Sequence, residues 1–290
     1  MQLPEGASII SSSPDTRRCC VIVGGVHGNE PAGIRAINTV TTLARKEWQL
    51  NGNVYGLVGN PRAVEKNLRF IDENLNRAFG NPRNASSYEA QRAIEITRWF
   101  EELAKTYTEV YVLDLHSVSV GEARIAVFNA NNPKAEAWAD RVSPISFHLK
   151  DAEYVFPETI AGAIERLGGI ALIIECGNHS SEIGTAVALE HVERVLVSLA
   201  MLESPQVSFQ NTVTYSDEPR TYKLIGCIRP DAGFAFDFPV QSETPLTEGA
   251  VFAHDKSGEH RAPCDCFIIM PAKHPNPNDT DAGFLAIREK

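Results

Sequence analysis

The sequence predicts an α/β domain built on a mostly parallel, mixed sheet flanked by helices, followed by a small all-β domain. Two observations carry this. From Arg17 to about Leu202, apolar runs of strand length alternate with segments of helical period, and that alternation implies a largely parallel sheet covered on both faces. Beyond Glu203-Ser204-Pro205 the runs shorten, turn residues recur, and Pro219, Pro230, Pro239, Pro245, Pro263 and Pro271 would interrupt any helix. The expected division is therefore 1–203 and 204–290.

In chain order, Cys19–Val23 reads as a first buried strand. Pro31 suits the first turn of a helix, where its missing N–H costs nothing, and Ile34, Ile37, Val40 and Leu43 recur on one face. Val54–Val58 is a second strand, closed by Asn60-Pro61. Ser86 followed by Glu89 has the pattern of a capping box, opening a helix whose apolar face includes Ala93, Ile96, Phe100 and Leu103. Val110–Leu115, Ile125–Phe128 and Ile170–Ile174 are further strands, and His191–Met201 reads as a closing helix. In the C-terminal part, His274-Pro275-Asn276-Pro277-Asn278 reads as an exposed loop.

Bulk properties narrow the function. The 290 residues are 43% hydrophobic and 22% charged, with no apolar run long enough to span a bilayer, so no membrane partner is expected. A formal charge of -10 without a basic stripe argues against nucleic acid, whose phosphates need one. It also means that a small anionic substrate would need a site made locally positive by a metal and arginines. The N-terminus shows no basic segment followed by an apolar one, and the six cysteines form no disulfide framework, so a cytoplasmic protein with reduced thiols is expected. Cys264-Asp265-Cys266 lacks the companion pair of a zinc finger.

Three short segments carry chemistry: His27-Gly28-Asn29-Glu30, Asp114-Leu115-His116-Ser117 and Ile174-Glu175-Cys176-Gly177. Each follows a run that reads as a buried strand, and the C-terminal ends of parallel strands share one rim, where ligand sites gather. His27 and Glu30, three apart, converge only in a strand-to-helix turn or on one helical face, and Gly24, Gly25 and Gly28 permit the tight backbone. A lone H-x-x-E recurs by chance. With His116 added, a His, a Glu and a second His hold a zinc ion and leave one position open, which is the arrangement of a catalytic site. Asp114 would orient a ligand by accepting a hydrogen bond. Glu175 could sit beside the metal without ligating it, taking a proton from water and passing it to a departing amine. Between these segments, Asn60-Pro61-Arg62 and Asp72–Phe79 form a polar, arginine-bearing stretch that reads as too irregular for a core element. Arginine forks there match carboxylates or steady an oxyanion.

These same residues resemble the succinylglutamate desuccinylase/aspartoacylase family, which is related in fold to the zinc carboxypeptidases; the resemblance covers about residues 17–200. It implies a carboxypeptidase-like α/β domain with one Zn²⁺ held by His27, Glu30 and His116. It implies Glu175 as general base and acid, Arg62 polarising the scissile carbonyl, and Asn76 with Arg77 gripping the α-carboxylate of a small N-acyl amino acid. Leu246–Ala253 and Ala262–Pro271 resemble a barrel-sandwich module of the biotinyl/lipoyl type, read here as a lid or packing domain because the modified lysine of a carrier is not evident. One position departs from the family. Both namesake enzymes carry an arginine shortly before the catalytic Glu, for a second substrate carboxylate, where this chain has Glu165 followed by Arg166. Arg124, Arg69 and Lys66 are other candidate cations. The expected function is thus a zinc-dependent deacylase of N-acyl amino acids. Its rivals are a peptidase acting on short peptides or cell-wall fragments, and a metal- or ligand-binding homologue without catalysis. The oligomeric state is left open, a homo-oligomer included.

Overall fold

In a computed structural model of the chain, residues 2–289 are described except 16, 81, 146, 152, 204, 206, 207, 210–212, 216, 217 and 276–280. The N-terminal elements are β1 (Ala7–Ser11), β2 (Arg18–Gly24), α1 (Pro31–Lys46), β3 (Asn53–Val58), α2 (Pro61–Lys66), α3 (Leu75–Ala78) and α4 (Tyr88–Thr106). There follow β4 (Glu109–Val118), β5 (Arg124–Asn129), α5 (Pro133–Val142), β6 (Phe147–Asp151), α6 (Ile160–Glu165), β7 (Ile170–Asn178) and α7 (Ile183–Ser198). After these come only strands among the described residues: β8 (Arg220–Ile228), β9 (Ala235–Phe236), β10 (Thr244–Leu246), β11 (Val251–Asp255), β12 (Gly258–Arg261), β13 (Cys266–Ile269) and β14 (Gly283–Arg288).

Eleven strands form one mixed sheet in the order β1-β3-β2-β4-β7-β5-β6-β8-β14-β13-β10. β3, β2, β4 and β7 are mutually parallel, and β5 runs antiparallel to β7. The C-terminal ends of β2, β4 and β7 therefore meet at one rim, beside the start of β5. The central strands are buried on both faces because helices line both. Alternate residues of β4 choose between them: Tyr111 meets Trp138 of α5 edge-on and Leu115 lies against Gly33 of α1, while Asp114 and His116 point to the other face. α1 can lie this close because Gly24 and Gly33 face each other; a Cβ on Gly24 would come 2.5 Å from the Gly33 carbonyl carbon.

Helix ends follow local chemistry. Pro31 opens α1 and Arg45 and Lys46 sit in its last turn, where they complement the dipole. The cap of α4 lies one residue beyond the expected capping box. Ser87, not Ser86, accepts the hydrogen bond from Ala90 N, because Ser86 bonds Asn84 and the Glu89 carboxylate is engaged elsewhere. The closing helix starts at Ile183, eight residues before the expected His191.

Past residue 203, β8 pairs in parallel with β6, and β14, β13 and β10 continue the large sheet as antiparallel strands. β12, β11 and β9 make a separate three-stranded sheet. Tyr222, Leu224, Ile269, Phe284 and Ala286 join the main core, while Ile228, Leu246, Phe252, Ala262, Cys266 and Ile268 form a small core of their own. His274 is exposed, and the Asn276–Asn278 part of the expected loop lies outside the described residues. Among the described residues no helix is long and apolar enough to cross a membrane.

Candidate metal centre and active site

The turn from β2 into α1 carries His27 and Glu30. Gly28 lets it lie flat on α2, since a Cβ there would fall 2.1 Å from the Ala63 carbonyl carbon. Glu30, just before Pro31, stands between two histidines: Oε1 is 2.7 Å from His27 Nδ1 and Oε2 is 2.9 Å from His116 Nδ1. Ser117 N also donates to Oε2, at 3.0 Å. His27, Glu30 and His116 are all buried, and one donor atom from each lies within 4.8 Å of the others, the one such grouping among the described residues.

The far ring nitrogens are held as well. Asn74 Oδ1 is 3.0 Å from His27 Nε2, and Asp114 Oδ2 is 3.0 Å from His116 Nε2. These acceptors favour a proton on each Nε2 and turn each Nδ1 toward the Glu30 carboxylate. Two ring nitrogens and a carboxylate then face one another in a buried space, which a cation would fill once the Nδ1 proton that His116 shares with Glu30 has left. Burial, with the Arg69 guanidinium, pushes His27 down to about 4 against the pull of Glu30, so its imidazole is neutral near pH 7. Burial also acts against the His116 imidazolium, but the Asp114 and Glu30 carboxylates outweigh it and raise that group well above its ordinary range. For Glu30, burial is outweighed by the two histidines, and its carboxyl lies well below the ordinary range.

Glu175 stands in register with His116 on the neighbouring strand. Its Oε2 is buried and has no hydrogen-bond partner among the described residues. Burial, assisted by the Glu30 and Asp114 charges and opposed by His116 and Arg69, lifts its carboxyl to about 7.

The segment expected to be an irregular polar stretch is in fact buried: Glu73, Asn74, Asn76 and Arg77 all lie inside. Many of its polar groups are satisfied from a distance, although Asn74 Nδ2 is buried without a partner among the described residues. Glu89, fully buried, accepts from Ile71 N, Asp72 N and Glu73 N and from Asn60 Nδ2. Asn76 brings its Nδ2 to 3.2 Å from His116 Nε2 and accepts from Ile160 N. Arg77 donates to Asp281 from Nε at 3.1 Å and from Nη2 at 2.9 Å.

Arg62 makes no hydrogen bond to the ligand residues among the described residues; its guanidinium carbon stacks 4.4 Å over the Tyr88 ring. The guanidinium at the cluster belongs to Arg69, with Nη1 3.3 Å from His27 Nδ1 and 3.4 Å from Glu30 Oε1. In the sequence Arg69 stands only as one of several candidate cations. Glu165 accepts from Asn129, Asn132 and Ala171 N, and Arg166 donates to the carbonyls of Pro157 and Phe79, so both serve the local structure. Glu89 reads in the sequence only as half of a capping box and Asp281 carries no local signal, because their partners lie far away in the chain.

A model of the succinylglutamate desuccinylase/aspartoacylase catalytic domain matches residues 17–202, the stretch that holds every ligand candidate. The chain belongs to that family. It is similar to a probable aspartoacylase of Nostoc sp., 27% identical over 248 residues, which span 78% of this chain and 82% of the relative. It is also similar to the succinylglutamate desuccinylase of Erwinia tasmaniensis, 25% identical over 90% of this chain and 80% of the relative. A shorter stretch of 109 residues is 34% identical to an N-acyl-aromatic-L-amino acid amidohydrolase (carboxylate-forming) of Xenopus tropicalis, covering 34% of this chain and 33% of that protein. The crystal structure of a succinylglutamate desuccinylase from Vibrio cholerae shares the fold, with a TM-score of 0.72 and 19% identity over 94% of this chain and 82% of its own. Family membership makes the chain a hydrolase of the deacylase kind.

Proposed function

We propose that the protein is a zinc-dependent amidohydrolase that releases the acyl group from an N-acyl amino acid. The observation that carries this reading is the meeting of His27 Nδ1, the Glu30 carboxylate and His116 Nδ1 within 4.8 Å, with the far nitrogen of each ring already held. Neutral imidazole nitrogens and a carboxylate are a donor set that suits zinc, and three protein ligands leave room for reactants. Bound there, zinc would polarise the amide carbonyl and ease deprotonation of water.

The chain's own residues do the rest. Glu175 takes the proton of the attacking water on its unpaired Oε2 and delivers it to the amine nitrogen as the C–N bond breaks. Arg69, whose Nη1 is 3.3 Å from His27 Nδ1, donates to the developing oxyanion in place of Arg62, which stacks on Tyr88. Asn76 and Arg77 hold the α-carboxylate, as the family resemblance implies. Arg166 donates to two backbone carbonyls, so a second substrate carboxylate would need another cation, for which Arg124, with a buried Nε unpaired among the described residues, is the candidate.

The test is primary-amine release from N-acetyl and N-succinyl amino acids and from dipeptides, by protein loaded with zinc and after chelation. Zinc-dependent release from the acyl amino acids supports the reading. Stoichiometric zinc with cleavage of dipeptides alone, or with no cleavage at all, would replace it with the peptidase or the binding-protein reading.

A further inference from the structure

The ion pair between Arg77 and Asp281 joins the short segment before β14 to the stretch that carries Asn76. Each side chain is 10% exposed, and the two residues are 204 positions apart. Asp281 is presented from a rigid support: Ala282 N donates to the Ile228 carbonyl of β8, and Gly283 pairs with Ile228 as β14 begins.

A guanidinium has five N–H donors. Three are engaged here. Nε and Nη2 both donate to the same oxygen, Asp281 Oδ1, and Nη1 donates to the Asn76 carbonyl. That leaves one N–H on each terminal nitrogen without a bond among the described residues. Terminal N–H groups of a guanidinium are the donors that a carboxylate accepts from in two-bond geometry. A pair serving only to fasten strands would gain little net stability when buried, and nothing would require it to leave those donors open.

We propose that Asp281 is a positioning residue for substrate recognition. It grips Arg77 along its Nε flank and so aims the terminal N–H groups at the α-carboxylate of the N-acyl amino acid. This rests on Arg77 being the carboxylate anchor, and it gives the C-terminal strands a part in binding.

The experiment compares zinc-loaded wild type with Asp281→Ala, Asp281→Asn and Arg77→Ala, on whichever N-acetyl amino acid wild type turns over fastest. It measures kcat, KM, and the calorimetric Kd of the corresponding free amino acid. Asp281→Ala should raise KM and Kd together by about tenfold while kcat changes less, as expected when a charge-assisted contact that binds ground and transition states alike is loosened. Asp281→Asn, which keeps an acceptor oxygen, should recover part of the loss. An unchanged or lowered KM in the Asp281 variants, with Arg77→Ala still raising it, overturns the positioning role alone. An unchanged KM in Arg77→Ala removes the anchor itself. Should Asp281→Ala fail to fold, as judged by its melting curve, the KM of Asp281→Asn decides the same question.

Discussion

Replacing Glu175 by glutamine should make the metal-free protein more stable at alkaline pH while abolishing turnover. Burial is the main cause that raises this carboxyl from 4.5 to about 7. A carboxyl whose folded pKa lies above its unfolded value binds its proton more tightly in the native state. The native state is therefore favoured below pH 4.5 and loses stability as the pH rises through 7. At about 1.4 kcal/mol per unit, the full shift corresponds to about 3 kcal/mol at pH 8, and the partial exposure of the residue reduces this to roughly 1–3 kcal/mol. A neutral glutamine of the same shape escapes that cost. Urea titrations of chelator-treated wild type and Glu175→Gln at pH 4, 6 and 8 should give curves that coincide at the lowest pH and separate progressively above it. In melting experiments the separation should be about 2 °C per kcal/mol for a chain of this size. Equal or lower stability of the variant at pH 8 would refute the idea that the fold carries a destabilising charge at this position. The zinc-loaded variant should retain its metal, because Glu175 is not among the three ligand residues.

Two other substitutions separate roles that the sequence leaves merged. Arg69→Ala should lower kcat by about a hundredfold or more, as the loss of an oxyanion donor does, while Arg62→Ala, which removes a guanidinium stacked on Tyr88, should change it by less than about threefold; the reverse order would return the oxyanion role to Arg62. Glu89→Ala should destabilise the protein by about 3–5 kcal/mol, since three backbone N–H groups and the Asn60 amide lose their buried acceptor. It should also weaken zinc binding, because the segment it orders carries Asn74 and Asn76; a melting temperature within about 2 °C of wild type, the shift expected for a loss of only about 1 kcal/mol, would count against this role.

The central strands and the His27, Glu30 and His116 cluster are legible because each depends on short-range pattern. An apolar run buried on both faces announces a parallel strand, and its C-terminal end must lie on the rim. The stretch at 72–79 reads as irregular, yet 73–79 are buried, because many of their polar groups are satisfied by Glu89, Ile160 and Asp281, which no local pattern links to them. Arg62 and Arg69 look alike in sequence; only the fold of α2 and the turn after it decides which of them reaches the cluster. β6 and α5 are absent from the elements expected above. Phe147–Asp151 does alternate buried and half-buried residues, but over five positions that include a His and a Lys. Asn132-Pro133 opens α5 with a side-chain cap and a first-turn proline, a local signal strong enough to have placed that helix.

The bond ladder between β6 and β8 bears on how this chain can be handled. The segment matched by the family's catalytic model stops at residue 202, yet β6 would then present Phe147–Lys150 as a bare strand edge. Unpaired edges of that kind recruit strands from other molecules. Tyr222, Leu224 and Phe284 would also be missing from the main core. Protein trimmed to the matched catalytic region is therefore expected to be sticky and self-associating, and exchanging C-terminal portions between relatives would have to preserve the β6–β8 seam rather than cut beside it.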